Sequence, residues 1–302
     1  MPKKKSFFAE LWSIAKITAR EWAGADPFRQ SAVVAYYAVF SIPALLVIIV
    51  AVAGLIFGEE VVRGEISIKI KQALGHDTGE AIQSIILKAS EDKTSVFATI
   101  IGVLTLIVGS TGVFSALQTS LNQIWQVKVT AGKKWLKTLK TRLFSFGLVL
   151  SLGFLMLISL LLTTGLEALS GMIKNRFPDI MLLLFKVLNF VLSFGTITFL
   201  FALIFKVLPD VKIRLRNVWI GAVVTSVLFI LGKFALGIYF AKANPGSVYG
   251  TAGSIVLIML WVSYSCMILF FGAEFTKQYA LFYHHEIKPK TKGESKIVKR
   301  EE

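Results

Sequence analysis

Lys233 has the strongest claim on chemistry, because it interrupts a long apolar run. An ammonium at the centre of a bilayer costs about 2.5–3.5 kcal/mol on insertion scales unless it snorkels or meets an anion. Lys233 therefore reads in two ways. It is a snorkelling structural side chain, or it is a cavity cation for a small anionic solute or lipid head group. Other apolar runs carry polar groups too. Tyr36, Tyr37, Ser41 and Pro43 fall together, and Pro43 is expected to kink its helix and free the carbonyl near Val39. Ser115, Gln118 and Asn122 lie at spacing i, i+3, i+7 and share one helical face. Gly109 and Gly112 beside them allow close backbone approach. Asn189 and Tyr264 add two more groups that need partners in hydrocarbon. Each of these is either interhelical glue or the wall of a polar pathway. Lys206 and Glu274 fall near one boundary and form a candidate ion pair.

The sequence offers little to an enzyme. It contains no P-loop, no HExxH and no Gly-x-Ser-x-Gly. The three histidines, His76, His284 and His285, form no metal-spaced set, and the single Cys266 excludes an intrachain disulfide. No catalytic residue, metal or cofactor is expected. The basic N-terminus leads into a segment with Glu10, Lys16, Arg20 and Glu21, so no cleavable signal peptide is expected.

These residues need long apolar helices to position them. Of 302 residues, 55% are hydrophobic and only 17% charged, with a mean hydropathy of +0.70. A bilayer crossing takes about 20 mostly apolar residues. Six stretches suffice, at 33–57, 96–118, 143–165, 181–208, 218–240 and 248–271. Helix follows because a single chain in hydrocarbon must satisfy its own backbone, and the runs are too long for barrel strands. The expected fold is all-α and polytopic, with six transmembrane helices.

Orientation follows from Lys and Arg, which raise the net charge to +15. Six lie before span one, six between spans two and three, three between spans four and five with Lys206 at the boundary making four, and seven in the tail. The alternate loops carry five, two and one, while Lys186 and Lys233 lie within spans. The positive-inside rule then places both termini in the cytoplasm. A basic rim of this kind suits anionic lipid and gives no reason to invoke nucleic acid.

Residues 1–30 form a cytoplasmic segment whose Phe8, Leu11, Trp12, Ala15, Ala19 and Trp22 recur at helical spacing. Such a helix lies at the interface or packs on the inner ends of the bundle. Asp26-Pro27 breaks it before span one. Residues 31–283 make up the transmembrane domain. The outer loop 58–95 holds two apolar stripes around Gly75-His76-Asp77 and is expected to form a short helical hairpin. Residues 284–302 read as a basic, disordered tail.

Several motifs carry a family resemblance. They are Ala35-Tyr36-Tyr37-Ala38-Val39-Phe40-Ser41-Ile42-Pro43, then Gly112-Val113-Phe114-Ser115-Ala116-Leu117-Gln118 with Leu121-Asn122-Gln123-Ile124-Trp125. Leu208-Pro209-Asp210, Val248-Tyr249-Gly250 and Gly272-Ala273-Glu274-Phe275 follow in order. Over about Gln30 to Tyr283 the chain resembles the YihY/BrkB family of inner-membrane proteins. The resemblance implies a six-helix bacterial inner-membrane protein linked to serum resistance or to transport of envelope lipid or solute. A ribonuclease label carried by that family fits badly, because no carboxylate set or His-based acid–base pair is present. A transporter or flippase-like role is the first expectation and a non-transporting envelope scaffold the second.

Overall fold

The computed structural model describes residues 7–58, 60, 63–64, 67–68, 83, 96–127, 179–243, 253–283 and 287–289. The first helix, α1, spans Phe7–Gly24. It stops where Asp26 turns left-handed, at φ 56°, and Pro27 opens α2 (Pro27–Phe57). Proline suits that first turn, since its missing N–H would have no helical partner. The Asp26 side chain makes no cap and instead accepts Arg29 Nε at 2.7 Å. Helix α2 continues through Pro43 and ends at Gly58, whose φ of 87° favours glycine.

Helix α3 (Val96–Ile124) closes with a Schellman turn. Gln126 N–H donates to the Gln123 carbonyl and Val127 N–H to the Asn122 carbonyl, both at 3.0 Å. Gln126 occupies the left-handed position, φ 52°, where glycine is usual. Helix α4 (Asp179–Val207) leads through a two-residue strand, β1 (Val211–Lys212), into α5 (Leu215–Ala243). Helix α6 (Gly253–Phe282) follows, and β2 (Lys288–Pro289) pairs antiparallel with β1, Val211 facing Pro289.

The helices pack in the order α4, α5, α6, α2, α3, with α6 also touching α3 and α1 lying on α6. Small residues set the close crossings. A Cβ on Gly109 would lie 3.0 Å from the Ser41 Cβ, and one on Gly112 would overlap the Tyr37 ring. The α5–α6 crossing is reciprocal. Thr276 sits over Gly221 and Thr225 over Gly272. Each threonine hydroxyl donates to the carbonyl of the glycine one turn earlier on its own helix, at 2.7 Å for Thr276 and 2.6 Å for Thr225. Those hydroxyls need no water, so they tolerate an apolar setting.

The main core gathers at one end of the bundle. Trp125, Leu121, Phe205, Val211 and Phe270 are buried there, from α3, α4, β1 and α6. Towards the other end, Leu183, Phe190, Leu231 and Phe234 are exposed. Among the described residues, three helices are long and apolar enough to cross a membrane, over Val187–Val207, Leu215–Phe240 and Ile255–Phe282. Only 17, 22 and 33% of their most apolar windows are buried. The remaining apolar surface matches hydrocarbon rather than water.

Spans one, two, four, five and six fall on α2, α3, α4, α5 and α6. Span three, the basic loop before it and the tail beyond Pro289 lie outside the described residues, as does most of the loop 58–95. In that loop Ser67 Oγ donates to Gln83 Oε1 at 3.1 Å, which brings its two halves together.

Helices α3 and α6 continue past Gln118 and Phe271, where spans two and six end, to Ile124 and Phe282, and Asn122, Glu274, Lys277 and Gln278 in those extensions are hydrogen-bonded. The buried stripe of α1 is rotated from the expected one. Ile14 and Thr18 are buried and Leu11, Ala15 and Trp22 partly so, whereas Trp12 is 73% exposed and Ala19 also faces out. Thr18 fits inside because its hydroxyl returns to the Ile14 carbonyl at 2.8 Å. Helix α1 packs on Phe275 and Tyr279 of α6.

Candidate functional site

The helix ends that gather around the core also gather polar groups. Along the α2–α3 seam runs a groove of about 560 Å³, within the 300–1,000 Å³ range of small-molecule pockets. Tyr37 and Gln30 line it from α2, and Thr111, Ser115, Thr119 and Gln123 from α3. The α3 residues recur every three or four positions and so share a face. From Val108 to Gln123 that face is about 22 Å long at 1.5 Å per residue. Arg29 stands at the end nearer the start of α2. Thr119 donates to the Ser115 carbonyl at 2.8 Å, and Gln30 Nε2 to the Ala25 carbonyl at 2.6 Å.

A second cavity of about 380 Å³ adjoins the first and shares Gln123 with it. Arg20, Glu21, Gly24 and Ala25 wall it from the α1–α2 elbow, Ile124 and Gln126 from the end of α3. Glu274 and Lys277 of α6 complete it. These two are 2% and 5% exposed, so their charges need partners. Lys277 Nζ lies 2.8 Å from Glu274 Oε1 and donates to Oε2 at 3.0 Å. It also donates to the Ile124 carbonyl at 2.9 Å, at the negative end of the α3 dipole. Gln278 Nε2 donates to Glu274 Oε1 at 2.6 Å. The pair thus clamps α3 to α6.

Asp210 fastens the α4–α5 connection to the same helix. Its Oδ2 accepts Asn122 Nδ2 at 2.9 Å and Gln118 Nε2 at 3.3 Å, and its N–H donates to Asn122 Oδ1 at 2.8 Å. Tyr283 Oη donates to Glu10 Oε2 at 3.0 Å and ties α1 to the end of α6. Burial, then the hydrogen bond and the nearby Glu10 charge, raise the Tyr283 phenol above its ordinary 10.0.

Of the residues singled out in the sequence, Tyr37 and Ser115 meet in the groove. Gln118 and Asn122 meet on Asp210 instead. Ser41 is buried, donates to the Ala38 carbonyl at 3.3 Å and packs over Gly109. Tyr36 is exposed and lies edge-on to Tyr37 and Phe40. Pro43 is within α2, Asn189 is half-buried on α4, and Tyr264 lies against Gly232. Lys233 is exposed on α5 and lines neither cavity. The expected pair of Lys206 with Glu274 is replaced: Glu274 takes Lys277, and Lys206 Nζ donates to the Ile213 carbonyl at 2.6 Å. Among the described residues no His, Cys, Asp and Glu cluster could hold a metal.

The sequence reading took Asp210 only as part of the Leu208-Pro209-Asp210 motif and did not single out Lys277 or Gln278. The last two were within reach, since Glu274 to Lys277 and Gln278 is i to i+3 and i+4, the spacing of neighbours on a helix.

Apolar outward faces and buried polar clamps at helix ends define an all-α membrane protein. The chain belongs to the family described as virulence factor BrkB, whose model matches residues 18–296. It is similar to proteins named UPF0761 membrane protein. The one from Tolumonas auensis is 29% identical over 180 residues, 59% of this chain and 56% of the relative. The one from Pseudoalteromonas atlantica is 25% identical over 232 residues, 75% of this chain and 72% of the relative. The one from Yersinia pestis is 28% identical over 233 residues, 73% of this chain and 74% of the relative. The match thus spans little more than half of the Tolumonas relative's length. No solved structure matches the chain.

Proposed function

We propose that this protein is a non-catalytic, flippase-like transporter that moves the polar head of a membrane amphiphile along the α2–α3 groove. The groove itself carries the reading. It sets Tyr37, Gln30, Thr111, Ser115 and Thr119 among apolar Val33, Val108 and Ala116 along about 22 Å of an outward-facing helix seam, with Arg29 at one end. Hydrogen-bonding groups in that setting replace the water a head group leaves behind. The substrate's acyl chains stay in lipid throughout.

The bacterial inner membrane is the proposed location, with both termini cytoplasmic. The Lys and Arg distribution supports this. So does the contact between Glu10, near one terminus, and Tyr283, near the other. Anionic lipids are the proposed neighbours of the basic rim.

A scaffold role is favoured by one specific observation: Gln118 and Asn122 are engaged with Asp210 rather than with open space. Reconstitution separates the two. Vesicles holding a head-labelled phospholipid are exposed to a membrane-impermeant quencher, with wild type and with a Thr111→Leu, Ser115→Leu double variant. Transport predicts quenching of inner-leaflet label by wild type and a loss of at least about tenfold in rate in the variant, as about 1.4 kcal/mol of barrier provides. Wild-type rates equal to protein-free vesicles would leave the scaffold.

A further inference from the structure

We infer that the 380 Å³ cavity at the α1–α2 elbow is a binding site for a zwitterionic head group, a phosphodiester anion beside a primary ammonium. The inference deepens the transport proposal by naming the class of amphiphile, and rests on it only for placing this end of the bundle at a lipid surface.

Charge selects the ligand. The cavity is lined by two cations, Arg20 and Lys277, and two carboxylates, Glu21 and Glu274. On the floor, Lys277 and Glu274 neutralise each other and are buried. At the rim, Arg20 and Glu21 are exposed neighbours in sequence. An anion alone would meet a carboxylate, and a cation alone would meet a guanidinium. A ligand carrying both signs satisfies both, the phosphate at Arg20 and the ammonium at Glu21.

The approach suits a lipid. Trp12 is 73% exposed on α1 with Lys16 and Arg20 at successive i+4 positions, and Phe28 is 68% exposed beyond the elbow. Aromatic rings beside cations are the chemistry of the head-group layer.

The test is lipid retention by the full-length protein in detergent, read by native mass spectrometry against added phosphatidylethanolamine, phosphatidylglycerol and phosphatidylcholine. Phosphatidylethanolamine should be retained about tenfold better than the other two, which lack the ammonium or its N–H donors. Glu21→Gln should abolish that preference, the loss of one charge-assisted hydrogen bond, whereas Arg20→Gln should weaken retention of all three lipids alike. Lys242→Gln, exposed in the last turn of α5 and off the cavity, should preserve the preference. Equal retention of the three lipids, a preference unchanged in Glu21→Gln, or overall retention unchanged in Arg20→Gln would overturn the site. Soluble phosphoethanolamine displacing the lipid at equal concentration would overturn the lipid as ligand. Preference retained in protein that fails to move lipid keeps the site and removes transport; transport without preference removes the site alone.

Discussion

Asn122 and Asp210 hold each other through two hydrogen bonds of opposite sense, the amide donating to the carboxylate at 2.9 Å and accepting from the Asp210 N–H at 2.8 Å. They are 88 residues apart, so the pair joins the end of α3 to the α4–α5 connection. Bonds to a charged group are worth about 1.5–3 kcal/mol. Asn122→Ala and Asp210→Ala should each lower the unfolding midpoint in detergent. A double-mutant cycle should give a coupling of about 1–2 kcal/mol. Additive losses would mean that the bonds do not contribute to stability.

Lys277→Met should be costly, because it strands the Glu274 carboxylate in a dry site. Breaking a buried pair from one side costs about 3–5 kcal/mol. The double variant Glu274→Gln, Lys277→Met should recover most of that, since no charge is left buried. Yield of folded protein by size-exclusion chromatography and the thermal midpoint are the readouts. A double variant no better than Lys277→Met would place the clamp's value in the bond to the Ile124 carbonyl.

Gly112→Ala should destabilise by about 1–3 kcal/mol, since the new methyl meets the Tyr37 ring inside a packed seam. Tyr37→Ala should relieve the clash. The pair of substitutions together should then be milder than their sum, and thermal unfolding of all three variants tests this.

The contact of α1 with α6 should weaken at alkaline pH. The folded protein raises the Tyr283 phenol, so it favours the neutral form. The contribution is complete below the ordinary 10.0 and is lost as pH climbs through the raised value. There a phenolate would face the Glu10 carboxylate. Protease cleavage within α1 should accelerate over that window in wild type, and Tyr283→Phe should flatten the rise.

Hydropathy alone located five of the described helices, because hydrocarbon imposes helix on any apolar run of that length. Their ends were harder. Lys277 and Gln278 read as the edge of the membrane, yet they are buried through bonds to Glu274, so α6 continues. The apolar stripe read for α1 left out Thr18, which is buried because its own helix absorbs its hydroxyl. Gly109 and Gly112 were legible as close-contact positions, since only a missing Cβ lets Ser41 and Tyr37 so near. Lys233 drew attention by its charge and stands on an exposed face. Asp210 was noticed only within its motif, and its partners were not legible because they lie 88 and 92 residues earlier, a separation that periodicity does not encode.

The mutual seating of Thr225 on Gly272 and Thr276 on Gly221 has a mechanical consequence. A slip of one turn, about 5.4 Å, would set Thr276 against Asn217 or Thr225, where no notch receives it. Helices α5 and α6 are therefore keyed together at two points, and neither can slide along the other without emptying both notches at once.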